Sequence, residues 1–117
     1  MQMLFNINAE FATSLDTRPL DVRAKSVVLS SRADVVCVSG PMTGMAVDQT
    51  ELKQVRDALP NTPLFANTGV NIDTVADIFS VTDGCVIGSH LKHDGDTWNS
   101  VDPNRVQDFM EKVETLR

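Results

Sequence analysis

The chain has 117 residues and a mass of 12.8 kDa, room for one domain (residues 1–117) that buries about two-thirds of the surface its unfolded form exposes. Hydrophobic residues make up 42% and charged residues 22%, which excludes an intrinsically disordered or fibrous chain. Ten basic against sixteen acidic side chains leave a net charge of −6 with no Lys/Arg run, so nucleic acid and anionic lipid surfaces are disfavoured as partners.

No apolar run approaches the ~18 to 20 residues of a bilayer span. The segment Met1 to Asn6 has no basic region and turns polar early, unlike a secretory signal. Cys37 and Cys85 lie inside apolar runs without Cys-x-x-Cys or His spacing. They read as buried free thiols in a reducing compartment, and a cytoplasmic location is expected.

Four runs rich in β-branched or aromatic residues mark strands: Leu4 to Phe11, Asp34 to Ser39, Pro63 to Asn67 and Gly84 to Ser89. A helical pattern follows each. From Pro19 to Ser31, Leu20, Ala24, Val27 and Val28 recur at helical spacing, with Pro19 suited to the first turn. Asp48-Gln49-Thr50-Glu51 has the form of a capping box, with Val47 and Leu52 as its hydrophobic staple; Leu52, Val55 and Leu59 form one face and Pro60 ends the helix. Asn71 can cap a helix carrying Val75, Ile78 and Phe79, and Asp83-Gly84 turns into the fourth strand. The last helix opens on Asp102-Pro103, with Val106, Phe109, Met110, Val113 and Leu116 on one face. The expected fold class is α/β, four parallel βα units, because parallel strands need crossovers of a dozen or more residues.

In the first strand Phe5, Ile7, Ala9 and Phe11 alternate with Asn6, Asn8 and Glu10. A parallel strand buried on both faces should be apolar throughout. The polar face therefore looks either into a pocket, as near the C-terminal mouth of a (βα)8 barrel, or into water from the edge of an open sheet.

The third strand runs into Asn67-Thr68-Gly69-Val70-Asn71 and the fourth into Gly88-Ser89-His90. Small residues there let backbone N–H groups approach an anion, and in barrels the loops after the last two strands form the recurrent phosphate site. Gly69, Val70, Gly88 and Ser89 are the candidate phosphate contacts; the bland alternative is that the glycines only make tight turns. Ser39 and Thr43, in Ser39-Gly40-Pro41-Met42-Thr43-Gly44, could clamp a polar ligand or satisfy loop backbone groups. No Gly-x-Ser-x-Gly elbow makes Ser39 a nucleophile. Glu10, sharing a strand face with Asn6 and Asn8, is the candidate base; its alternative is pairing with Lys92 or loop amides. The segment His90 to Asn99 gathers His90, Lys92, His93, Asp94 and Asp96, but its spacing fits neither an EF-hand nor a zinc motif. It implies no metal or other cofactor, and Asp94-Gly95 reads as a turn.

Arg18-Pro19-Leu20, Val38-Ser39-Gly40 with Thr43-Gly44, Leu52-Lys53-Gln54-Val55, Ala66-Asn67-Thr68-Gly69-Val70, Asp83-Gly84-Cys85-Val86, Lys92-His93-Asp94-Gly95 and Val101-Asp102 through Arg105-Val106 to Phe109-Met110 together span almost the whole chain. In order and spacing they resemble the BtpA family (BtpA/SgcQ), nearest its SgcQ-like branch. The resemblance implies a TIM (β/α)8 barrel of which this chain is the C-terminal half, strands five to eight. It also implies one of two settings: photosystem I biogenesis, with the namesake a peripheral thylakoid protein, or carbohydrate metabolism, since SgcQ-like members sit among sugar-utilisation genes. Where the family carries Asp-x-His-x-Lys on the fifth strand, this sequence has Asn6-Ile7-Asn8-Ala9-Glu10.

A half-barrel leaves two sheet edges open to pairing, so either a second copy or a separate N-terminal half is expected as partner. The functional expectation is a strand-end site for a phosphorylated small molecule such as a sugar or nucleoside phosphate. There Glu10 and His90 stand at the reacting part, with Asn6, Asn8, Ser39, Thr43, Asn67 and Lys92 around the substrate. The alternatives are a noncatalytic assembly factor and an inactive truncated product.

Overall fold

In the computed structural model, which describes residues 1–117, strands and helices alternate along the chain. Their order is β1 (Leu4–Asn6), α1 (Leu20–Ser31), β2 (Val35–Val38), α2 (Gln49–Ala58), β3 (Leu64–Ala66), α3 (Val75–Phe79), β4 (Gly84–Cys85) and α4 (Pro103–Glu114), with 3₁₀ turns at Ser89–Leu91 and His93–Gly95. The strands form one parallel sheet in the order β1-β2-β3-β4, with Leu4 beside Val35, Cys37 beside Phe65 and Phe65 beside Gly84.

Local chemistry sets the helix ends. Asp48 Oδ1 accepts from the Thr50 N–H at 2.6 Å, while the staple residues Val47 and Leu52 are both buried. Asn71 Oδ1 accepts from the N–H groups of Asp73 and Thr74, and Asp102 Oδ1 from that of Asn104, with Pro103 just inside the helix. Arg32, in the left-handed region at φ 57°, closes α1.

Strand parity divides the sheet into two faces. One face, with Ile7, Val36, Val38, Leu64 and Ala66, packs against Leu20, Ala24, Leu52, Val55, Val75, Ile78, Phe109 and Val113 of the helices to form the core. Val35 and Cys37 are buried but stand outside that cluster, as expected of the opposite, inner face. Gly84 lies on the same inner face, where an added Cβ would come within 2.6 Å of the Phe65 ring. Burial also pushes the thiols of Cys37 and Cys85 up from their ordinary value, which keeps them protonated and unreactive at neutral pH. No helix is long and apolar enough to cross a membrane.

Three expectations need correction. β1 ends at Asn6 instead of Phe11, and Phe11 is 83% exposed. Beyond Asn6 the Asn8 side chain takes over the ladder, its Nδ2 donating to Ser39 O and its Oδ1 accepting from Ser39 N, both at 2.8 Å. β4 stops at Cys85, since Ser89 already starts a 3₁₀ turn. On α4 only Phe109 and Val113 of the expected apolar face are buried, and Met110 and Leu116 are exposed because no element packs beyond β4.

Candidate functional site

The C-terminal ends of β1, β2 and β3 are tied by one hydroxyl. Ser39 Oγ, in a residue only 1% exposed, accepts from Asn6 Nδ2 at 2.8 Å and from Asn67 Nδ2 at 3.0 Å. The inward face of β1 is thus polar because Asn6 and Asn8 knit the strand ends together. The Ser39 hydroxyl meets two side-chain amides of the strand ends, where loop backbone groups were the expected partners.

Above this tie lies a cleft of about 300 Å³, walled by the loops after β3 and β4. It brings together eight of the candidate residues: Glu10, Thr43, Asn67, Gly69, Val70, Gly88, Ser89 and His90. The backbone N–H groups of Gly69, Val70, Gly88 and Ser89 find no acceptor within the chain. Val70 is buried and Gly69 and Ser89 are half-buried, where an N–H normally has a partner, while Gly88 is exposed; on one cleft these donors suit an anion or water. At the start of α3, Asn71 Oδ1 already accepts from the Asp73 and Thr74 N–H groups.

The two glycines differ. Gly69 has φ +64°, and a Cβ there would meet Ala46 N at 2.1 Å and Met45 C at 2.2 Å. It is required by the fold, packing the β3 loop against the loop after β2. At Gly88 an added Cβ meets nothing within 4 Å, so no neighbour in the chain requires its missing side chain.

Glu10 reaches the cleft from the turn after β1, and its Oε2 is buried without a hydrogen-bond partner. It pairs with neither Lys92 nor a loop amide. His90 is held by Arg105, whose Nε donates to His90 O at 2.6 Å and whose Nη2 lies 3.3 Å from Nδ1. The Phe109 ring packs edge-on at 5.9 Å. Burial, then the Arg105 charge, holds the imidazole below its ordinary pKa, with Asp73 opposing. Arg105 can only donate, so Nδ1 is the acceptor in that contact and the neutral ring carries its proton on Nε2.

Asn6, Asn8 and Ser39 stand outside the cleft, and Lys92 donates instead to Asn99 O at 3.2 Å. His93 lies 3.3 Å from Asp102 and braces the start of α4. Asp94 and Gly95, at φ 56° and 71°, form the expected turn.

The family model described as BtpA family matches residues 1–115. The chain belongs to the BtpA family. It is 42% identical over 117 residues to the sgc region protein SgcQ of Escherichia coli, matching 100% of this chain and 44% of SgcQ. It is 27% identical over 111 residues to the photosystem I biogenesis protein BtpA of Synechocystis, matching 95% of this chain and 39% of BtpA. The chain thus spans about two-fifths of the length of these relatives. Among solved structures, N-(5'-phosphoribosyl)anthranilate isomerase from Pyrococcus furiosus superposes with a TM-score of 0.58 at 15% identity, over 96% of this chain and 49% of the isomerase. That enzyme is a TIM barrel, and the four βα units of this BtpA-family chain correspond to half of one.

Sequence reasoning missed Thr68 in this BtpA-family site. Its Oγ1 accepts from the Gly40 N–H at 2.6 Å and donates to Met45 O at 2.8 Å, fixing the loop that carries Thr43 and Gly44 against the cleft. The signal available was a hydroxyl beside a turn glycine, which does not reveal a partner 28 residues away.

Proposed function

We propose that the cleft at the ends of β3 and β4 binds a phosphorylated small molecule, a sugar or nucleoside phosphate. The observation that carries this reading is the set of four free N–H donors, from Gly69, Val70, Gly88 and Ser89, on two loops facing one cleft. Such donors stabilise an anion without a cationic side chain, which fits a chain of net charge −6. The rest of the cleft suits a hydroxylated body. Glu10 offers acceptor oxygens, Asn67 and Thr43 offer mixed donors and acceptors, and the His90 ring offers one proton on Nε2. Glu10 and His90 are the acid–base side chains of this cleft and the candidates for proton transfer.

The test is thermal unfolding with added inorganic phosphate, glucose 6-phosphate, adenosine monophosphate and glucose. A phosphorylated ligand at 100 times its Kd stabilises the native state by about 2.7 kcal/mol. The reading expects a saturable rise in Tm with a phosphorylated compound and none with glucose. No rise with any phosphate compound at millimolar concentration overturns it.

A further inference from the structure

The two acid–base side chains of the strand-end cleft each keep a free polar atom. Neither oxygen of the Glu10 carboxylate makes a hydrogen bond; Oε2 is enclosed by the chain and Oε1 is the accessible one. A carboxylate left without donors costs stability and keeps its lone pairs for a ligand. His90 meets Arg105 through Nδ1, and its Nε2–H finds no acceptor in the chain. Both residues line the cleft of about 300 Å³ that also carries the four N–H donors. That volume lies at the small end of ligand pockets and suits one monosaccharide phosphate.

The fold sets these groups at separate points around a ligand. The 3₁₀ turn Ser89–Leu91, closed by the Leu91 N–H donating to Gly88 O at 3.0 Å, fixes His90 beside the Gly88 and Ser89 donors. Arg105 Nε, donating to His90 O at 2.6 Å, pins the same turn from α4. Glu10 arrives from the turn closed by the Ala12 N–H on Ala9 O, after β1, with β2 between that strand and β3. A phosphate held by the β3 and β4 loops therefore lies away from the carboxylate, as like charge requires, and Glu10 meets the carbon chain of the ligand. Burial and the Arg105 charge keep the imidazole neutral, which makes it a weak proton source but a good hydrogen-bond donor to an oxygen gaining negative charge. A base at carbon and a donor at oxygen, with the phosphate held aside, are what proton abstraction next to a carbonyl requires.

We propose that this cleft enolises open-chain sugar phosphates and interconverts aldose and ketose, with Glu10 as the base at carbon and the His90 Nε2–H as the donor to the carbonyl oxygen. The inference rests on the anion reading above, which supplies the grip on the phosphate. Glu10 takes the proton from C2 of the aldose phosphate, the C2–H electron pair becomes the C1=C2 double bond, and the carbonyl pair moves onto O1. The His90 Nε2–H stabilises the charge on O1, and the proton of the O2 hydroxyl passes to O1. The double-bond pair then takes the proton back from Glu10 at C1, leaving C2=O and a regenerated carboxylate. C1 is reduced as C2 is oxidised, so the step needs no external oxidant, reductant or co-reactant, and the phosphate ester stays intact.

The experiment is proton NMR of ribose 5-phosphate, ribulose 5-phosphate, glucose 6-phosphate and fructose 6-phosphate incubated with the protein in D₂O, with ribose as the control. The Gly69, Val70, Gly88 and Ser89 amides are followed with the same compounds in H₂O. The expected result is solvent deuterium at C2 of an aldose phosphate or C1 of its ketose, with the isomer appearing, and neither with ribose. A general base contributes about 100- to 10,000-fold, so Glu10→Gln should slow the exchange at least ~100-fold while the amide shifts remain. Glu10→Asp, which keeps a carboxylate one methylene back, should retain part of the exchange, separating a lost base from a disturbed fold. Amide shifts without isotope exchange, or exchange that persists in Glu10→Gln, overturn the proposal and leave the anion reading standing. Amides that stay unmoved with all the phosphates overturn both.

Discussion

Replacing Ser39 with alanine removes the hydroxyl on which the ends of three strands converge. Two hydrogen bonds are lost, from Asn6 Nδ2 and Asn67 Nδ2, while the Asn8 bonds to the Ser39 backbone remain. Each neutral bond contributes ~1 kcal/mol, and the half-buried amides left behind recover water only in part, so the total is about 2 to 3 kcal/mol. With an unfolding entropy of ~2.1 cal/mol/K per residue over 117 residues, that loss lowers Tm by about 8 to 12 °C. Calorimetry at one fixed protein concentration measures it, and a double-mutant cycle with Asn67→Ala should return a coupling of ~1 kcal/mol, since both changes delete one shared bond. A Ser39→Ala protein within about 0.5 kcal/mol of wild type would refute the reasoning, because water would then be replacing the hydroxyl at no cost.

The glycines separate fold from binding: Gly69→Ala should cost more than ~3 kcal/mol in urea unfolding or prevent folding, whereas Gly88→Ala should stay within ~0.5 kcal/mol of wild type. Equal losses at the two positions would contradict the clash at Gly69. At Asp83, burial raises the carboxyl pKa, but the Leu64 N–H and the Arg56 guanidinium outweigh it and hold the group below its ordinary value. Its contribution is therefore present above the ordinary carboxylate pKa and lost as pH falls through the depressed folded value. Asp83→Asn should flatten that acid limb of the stability profile, and an unchanged limb would exclude Asp83 as its source. His90, depressed by burial and by Arg105, should titrate below its ordinary value in proton NMR and move upward in Arg105→Ala. Because its folded pKa is the lower one, its contribution is lost as pH falls from the unfolded value toward the folded one. A His90 midpoint at or above that of an exposed histidine would contradict the packing against Arg105 and Phe109.

The βα order, the cap residues Asp48, Asn71 and Asp102 and the buried positions Leu52, Val55, Val75 and Ile78 were legible because each follows from spacing within one element. The length of β1 was not. Alternation from Phe5 to Phe11 predicts a strand, yet the Asn8 side chain imitates a strand's hydrogen bonds and lets the backbone turn away after Asn6. The same competition ties Asn6, Asn8 and Ser39 to one another beneath the cleft. Lys92 shares a loop with His90, but its ammonium is turned to the Asn99 carbonyl, a detail set by the 3₁₀ turns and invisible to composition. Gly69, Val70, Gly88 and Ser89 were legible as a set because parallel βα units bring the loops after adjacent strands to the same end of the sheet.

The most direct test of the anion site is a ¹⁵N–¹H correlation spectrum of the labelled protein titrated with glucose 6-phosphate and, separately, with glucose. Binding through the strand-end loops predicts saturable downfield shifts of the Gly69, Val70, Gly88 and Ser89 amides with the phosphate ester alone. Amides of these residues that stay unmoved while the sugar phosphate reaches millimolar concentration would contradict it.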